Sequence, residues 1–156
     1  MEHRYETFTV LVNRINRNIN RIKTREMSAF GLRGAHVSCM YQLYLTQGLT
    51  ASELCELCAE DKAAVSRSLV YLEKEGYITF QTKQAKRYKT PIYLTEKGVE
   101  TGRMVAEKID GILAGIGKTM TEDERNNLYR YLTDISSTLE AMTAGENQGG
   151  NEACSL

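Results

Sequence analysis

The apolar residues of this chain recur at helical spacing almost throughout, and the one clear change of period follows Gly76. There Tyr77, Ile78, Thr79, Phe80, Gln81 and Thr82, and later Thr90, Pro91, Ile92, Tyr93 and Leu94, form two β-rich runs around a basic polar tip. Such a pair reads as a hairpin. Pro91 has no N–H to give to a central ladder, so its strand belongs at an edge or a bulge. The chain should therefore be mainly α with one small β-hairpin.

The helices around the hairpin are legible from their apolar faces and caps. Phe8, Leu11, Val12, Ile15, Ile19 and Ile22 share one face of a 3.6-residue helix, with Arg14, Arg17, Arg21 and Lys23 off it. After a break at Gly31 and Gly34, a second apolar stretch runs from Ala35 to Leu45 and ends at Gly48. Thr50 and Glu53 have the spacing of a capping box, starting a short helix that reaches about Cys58. Asp61 can cap a further helix through Val65, Leu69 and Leu72, and Gly76 can end it in a left-handed conformation. Beyond the hairpin, Thr95 is placed to start a long helix carrying Val99, Val105, Ile109, Ile112, Leu113 and Ile116. Gly111, Gly115 and Gly117 weaken that helix, permitting close packing or marking a bend. Thr121 and Glu124 repeat the capping box, and Leu128, Tyr131, Leu132, Ile135, Leu139 and Met142 follow at helical spacing.

The terminal helices carry apolar stripes too long for a lone winged helix to cover, and an exposed stripe of that size marks an interface. A homodimer is therefore expected. The boundaries read as one domain over 1–142, with a winged helix-turn-helix at 35–98 flanked by dimerisation helices at 5–25 and 99–142. Residues 143–156 are Gly, Asn and Glu rich, and disorder is expected there.

Charge needs to be read by segment. Twenty Lys and Arg face twenty Asp and Glu, so the net charge is zero. That balance argues against a polyanionic partner only if it holds locally. Residues 62–97 hold eight cations against three carboxylates, whereas residues 98–156 hold five against ten. A basic block in an otherwise acidic chain fits a nucleic-acid footprint. No apolar run approaches the roughly 20 residues that span a bilayer, so no membrane partner and a cytoplasmic location are expected.

A short helix, a tight turn at Ala59 and Glu60, a second helix and then a basic hairpin make a winged helix-turn-helix. The second helix puts Lys62, Ala63, Ser66 and Arg67 on its outer turns. Short Ala and Ser side chains permit close approach to base edges, and Arg67 can reach guanine acceptors or a phosphate. The tip contributes Lys83, Lys86, Arg87 and Lys89, with Tyr88 among them, suited to a DNA backbone or minor groove. Ser52 and Ser68 are candidate phosphate contacts.

These residues resemble the MarR family of bacterial transcriptional regulators, over about residues 5–142. The resemblance rests on SELCELCAEDKAAVSRSLVYLEKEGYI, above all its ending Leu72-Glu73-Lys74-Glu75-Gly76, and on YLTEKG after the wing. It implies a dimer whose first and last helices intertwine, with two winged helices reading a palindromic double-stranded operator, more often as a repressor. The family's wing often carries Asp-x-Arg, where this chain has Lys86-Arg87-Tyr88. Arg87 or Lys86 would then enter the minor groove without a bracing carboxylate. Family members release DNA when a small ligand or an oxidant acts near the junction of dimerisation helices and winged helix. This implies an effector pocket near His36, Met40, Tyr41 and Tyr44.

Cys55-x-x-Cys58 offers an alternative, a thiol-based redox sensor or oxidoreductase. Core packing is the favoured reading for both, since free Cys behaves as a small hydrophobe. A zinc site would want four ligands, and there is no second CxxC or HxxxH. His36 and Cys39, one helical turn apart, are too few to hold a metal, and Cys154 lies in the tail. With no phosphate loop and no catalytic constellation, neither an enzyme nor a cofactor is expected.

Overall fold

A computed structural model describes residues 4–81 and 89–146. The order is α1 (Arg4–Met27), a 3-10 turn (Ser28–Phe30), α2 (Ala35–Leu45), α3 (Ala51–Cys58), α4 (Lys62–Lys74), β1 (Ile78–Phe80), β2 (Ile92–Leu94), α5 (Glu96–Ile116), a second 3-10 turn (Gly117–Thr119) and α6 (Glu122–Glu146). This is a helical protein with a two-stranded hairpin, built as a winged helix with further helices at both ends. Helix α6 continues through Glu146, so residues 143–146, assigned to a tail on composition, are helical. The rest of that tail, with Cys154, lies outside the described residues.

The chain forms two compact units, one ending at Gly111 and one beginning at Ile112. In the first, Val37, Met40 and Leu43 of α2, Leu54 of α3, Val65, Leu69 and Leu72 of α4, Ile92 of β2 and Val105 of α5 share one buried cluster. Strands β1 and β2 pair antiparallel with Ile78 opposite Leu94 and Phe80 opposite Ile92. Sequence patterning missed the third partner. Leu49 bridges Ile92 on the other edge, where the Ile92 N–H donates to the Leu49 carbonyl at 2.9 Å and the Gly48 N–H donates to the Ile92 carbonyl at 2.9 Å. This one-residue rung fastens the wing to the loop that precedes α3.

The junction from wing to α5 explains why Leu-Thr-Glu-Lys-Gly stands there. Gly76 takes a left-handed φ of 73°, and the Tyr77 N–H then donates back to the Leu72 carbonyl at 2.9 Å, closing α4 as a glycine cap does. The Thr95 hydroxyl donates to the Gly76 carbonyl at 2.7 Å and accepts from the Gly98 N–H at 3.0 Å, so it caps α5 while holding the end of α4. A Cβ on Gly98 would overlap the Tyr77 carbonyl oxygen. Lys97 donates to the Glu75 carbonyl at 2.6 Å and lies 4.2 Å from the centre of the Tyr77 ring. Helix α5 continues through Gly111 and Gly115, where an added Cβ would meet no described atom within 4 Å beyond its chain neighbours and the helix's own backbone.

Candidate nucleic-acid interface

The helix-turn-helix is set by two caps and a tight turn. Thr50 and Glu53 form the capping box at the start of α3, with the Thr50 N–H donating to the Glu53 carboxylate at 2.7 Å and the Glu53 N–H to the Thr50 hydroxyl at 3.4 Å. The Thr50 hydroxyl, which donates to the Glu53 carboxylate at 2.7 Å, and then the Thr50 N–H hold that carboxyl below the usual range. Ala59 then adopts φ 51°, the one described non-glycine residue in the left-handed region, and turns the chain toward α4. An L side chain there costs roughly 1–2 kcal/mol relative to right-handed backbone. Asp61 caps α4 by accepting from the Ala64 N–H at 2.8 Å.

Helix α4 buries Val65, Ser68, Leu69 and Leu72. Its outer face presents Lys62, Ala63, Ser66 and Arg67, all exposed, as the sequence spacing predicts. Ser68 corrects that reading. It is buried, and its hydroxyl donates to the Ala64 carbonyl at 2.8 Å, so it faces the core and is not presented to a phosphate. Ser52 is half-buried in the first turn of α3. Lys89 is exposed at the foot of the wing, while Lys83, Lys86 and Arg87 lie outside the described residues.

The four residues assigned to an effector pocket share α2 but do different things. Met40 is completely buried in the core. At full burial this unbranched apolar chain fills space between helices. His36 stacks on Tyr71 of α4, with ring centres 4.3 Å apart and planes 5° from parallel, and the Tyr71 hydroxyl donates to the Gly31 carbonyl at 2.9 Å. The His36 Nδ1 is buried with no hydrogen-bond partner among the described residues. Burial, and secondarily the Arg33 cation, push the imidazole below its ordinary pKa. Tyr41 is half-buried against the core, and Tyr44 packs where a Cβ on Gly102 of α5 would touch its ring. Helix α2 thus connects the outward-facing helix α4 to α5 through His36 and Tyr44.

The thiols pair differently from their spacing in sequence. Cys39 is buried and hydrogen-bonds to Cys58 across α2 and α3, which lowers the Cys58 pKa and, with burial, raises that of Cys39. Lys23 favours the Cys58 thiolate and Glu60 opposes it. Cys55 and Cys58 are both half-buried against the core. Sequence reading paired Cys55 with Cys58 and Cys39 with His36, because no local spacing links α2 to α3. Among the described residues no group of three or more His, Cys, Asp or Glu side chains could hold a metal ion.

No family model matches the chain. Similarity to known proteins is nonetheless extensive. HTH-type transcriptional regulators of Bacillus cereus and Bacillus anthracis are each 31% identical to it over 123 residues, covering 78% of this chain and 82% of theirs. The DNA complex of Staphylococcus aureus MepR matches with a TM-score of 0.75 at 19% identity, over 85% of this chain and 97% of that one. Staphylococcus aureus MarR in complex with salicylate and kanamycin matches with a TM-score of 0.76 at 15% identity, over 90% and 95%. The chain belongs to the HTH-type transcriptional regulators and has the fold of the MarR family. As a helix-turn-helix regulator it binds DNA, and none of its described helices is long and apolar enough to cross a membrane.

Proposed function

We propose that this protein is a homodimeric MarR-family repressor that reads a palindromic operator through α4 and the wing and lets go when an effector binds. The observation that carries the proposal is the outer face of α4. Lys62, Ala63, Ser66 and Arg67 stand exposed on the second helix of a capped helix-turn-helix, opposite a buried apolar face. Arg67 reads a guanine edge or grips a phosphate, Ala63 and Ser66 permit close approach, and Lys62 contacts the backbone. Lys83, Lys86, Arg87 and Lys89 supply the wing contact, and Ser52 a phosphate contact. Two copies are needed because α1 and α6 expose Phe8, Leu11, Ile15, Leu132, Ile135 and Leu139. A dimer with two reading heads fits a site of two-fold symmetry.

A small-molecule effector is favoured by the salicylate complex of Staphylococcus aureus MarR and by the linkage of α2 to both α4 and α5. A ligand lodged beside His36, Tyr41 and Tyr44 would shift α4 against the helices that set the spacing of the two heads. The thiol alternative gains nothing from the relatives, which are transcriptional regulators. Selection of bound sequences from random duplex DNA tests the reading. A two-fold symmetric sequence should emerge, with affinity falling steeply as salt rises. Failure to enrich any symmetric sequence would overturn the operator proposal.

A further inference from the structure

The outer face of α4 holds one residue that neither the core nor the polar contacts above account for. Val70 is 55% exposed. At about 100° of rotation per residue, it lies within about 20° of Ala63, with Ser66 about 40° to one side and Arg67 about 60° to the other. It is therefore central on the face that points away from Leu72 and Ser68, both buried. The fold gives no reason for a valine here. Its side chain is not needed to fill the core, and valine is a poorer helix former than Lys, Glu or Ala. A single exposed valine is unremarkable on an arbitrary surface, but this one has the exposed cations Arg67 and Lys74 one turn to either side and Lys62 at the start of the helix, against one half-buried carboxylate, Glu73. Those cations fit a polyanion, which fixes the kind of surface that meets this face.

Within the major groove of DNA the apolar group available to such a side chain is the 5-methyl of thymine. We infer that Val70, with Ala63, reads thymine methyl groups in the operator, making it a specificity-determining residue among polar contacts. The distance from Ala63 to Val70 along the helix is about 10 Å, some three base-pair steps, so the two residues address different base pairs of one half-site. The inference rests on the DNA-binding reading of α4.

The experiment uses the full chain and the duplex it selects, with each thymine replaced singly by deoxyuridine, a change that removes only the methyl group. Wild type should lose about fourfold in affinity at one or two positions per half-site, the value of one buried carbon at about 0.8 kcal/mol. Val70→Ala should lose about the same factor on the thymine duplex and should no longer distinguish thymine from uracil at one of those positions. Its melting temperature should be unchanged or higher, since the side chain is exposed and Ala favours helix. Uniform binding of all uracil duplexes by wild type, or a fourfold uracil penalty that persists at every position in Val70→Ala, overturns the role of Val70 while leaving DNA binding intact. If wild type enriches no duplex at all, the DNA-reading role of α4 fails and this inference falls with it.

Discussion

The winged-helix head and the terminal helices use the same apolar alphabet at the same spacing, yet their side chains meet opposite fates. Met40, Leu43, Leu54 and Leu72 of the head are 0% exposed, whereas Ile15 of α1 is 58% exposed and Leu132 and Met142 of α6 are 50% and 65% exposed. Periodicity reports which face of a helix is apolar. It does not report whether the covering surface belongs to the same chain. The head completes its own core chiefly from four helices, α2 to α5, and a hairpin, while α1 and α6 present stripes that a second copy would cover.

The comparison breaks most sharply under truncation of a leucine in each region. Leu54→Ala should destabilise the fold by roughly 2–5 kcal/mol, because it removes a fully buried side chain and leaves a cavity. Leu132→Ala should change the unfolding of the monomeric protein by less than about 0.5 kcal/mol, as for other exposed sites. Urea denaturation at low protein concentration measures both. Equal losses would show that the α6 stripe is already covered within one chain.

A charge in the stripe tests the same difference from the other side. Ile135→Glu should weaken self-association by on the order of 100-fold, roughly 2.7 kcal/mol, by placing a carboxylate in a desolvated interface. Sedimentation equilibrium would show monomer where the wild type is dimer, with helicity retained. A variant that remains dimeric at the same concentrations would remove α6 from the interface.

How much was legible in the sequence follows the same division. The caps at Thr50, Asp61, Thr95 and Thr121 and the left-handed Gly76 were readable because each acts over three or four residues. The outward set Lys62, Ala63, Ser66 and Arg67 was readable because one helix has one period. What stayed hidden was tertiary. The Leu49–Ile92 rung, the Cys39–Cys58 contact and the stacking of His36 on Tyr71 join residues from different elements, and no local pattern encodes them. Ser68 is different, since a step of about 100° around the helix from Arg67 carries it into the core beside Val65 and Leu72, where the helical period alone already puts it.

Glycines give a finer contrast. Gly98→Ala should cost about 1–3 kcal/mol in thermal or urea unfolding, since its methyl meets the Tyr77 carbonyl and the backbone must move. Gly111→Ala and Gly115→Ala should each stabilise the monomer by about 0.5–1 kcal/mol, since no described atom beyond the helix itself opposes a methyl and Ala is the better helix former. If either substitution instead weakens the dimer, that glycine marks a close approach of the second copy to α5.

The smallest expected effect separates the regions by pH. The capping carboxylates Glu53 of α3 and Glu124 of α6 are both held below their ordinary pKa by bonds to Thr50 and Thr121. Each therefore contributes stability that is present above the unfolded carboxylate pKa and lost as pH falls through the lower folded value, alike in the two regions. His36 belongs to the head alone. Its folded pKa lies below the ordinary value near 6.5, so between those values the unfolded chain binds a proton that the folded chain refuses, and stability falls as pH drops below about 6.5. His36→Phe keeps a flat ring against Tyr71 but cannot titrate. Urea midpoints measured from pH 7.5 to 5.5 should decline for wild type and stay flatter for His36→Phe, because only the wild type carries a group that the folded chain resists protonating. A wild-type midpoint that rises on acidification would mean that the imidazolium is stabilised at this site, against the burial of its Nδ1.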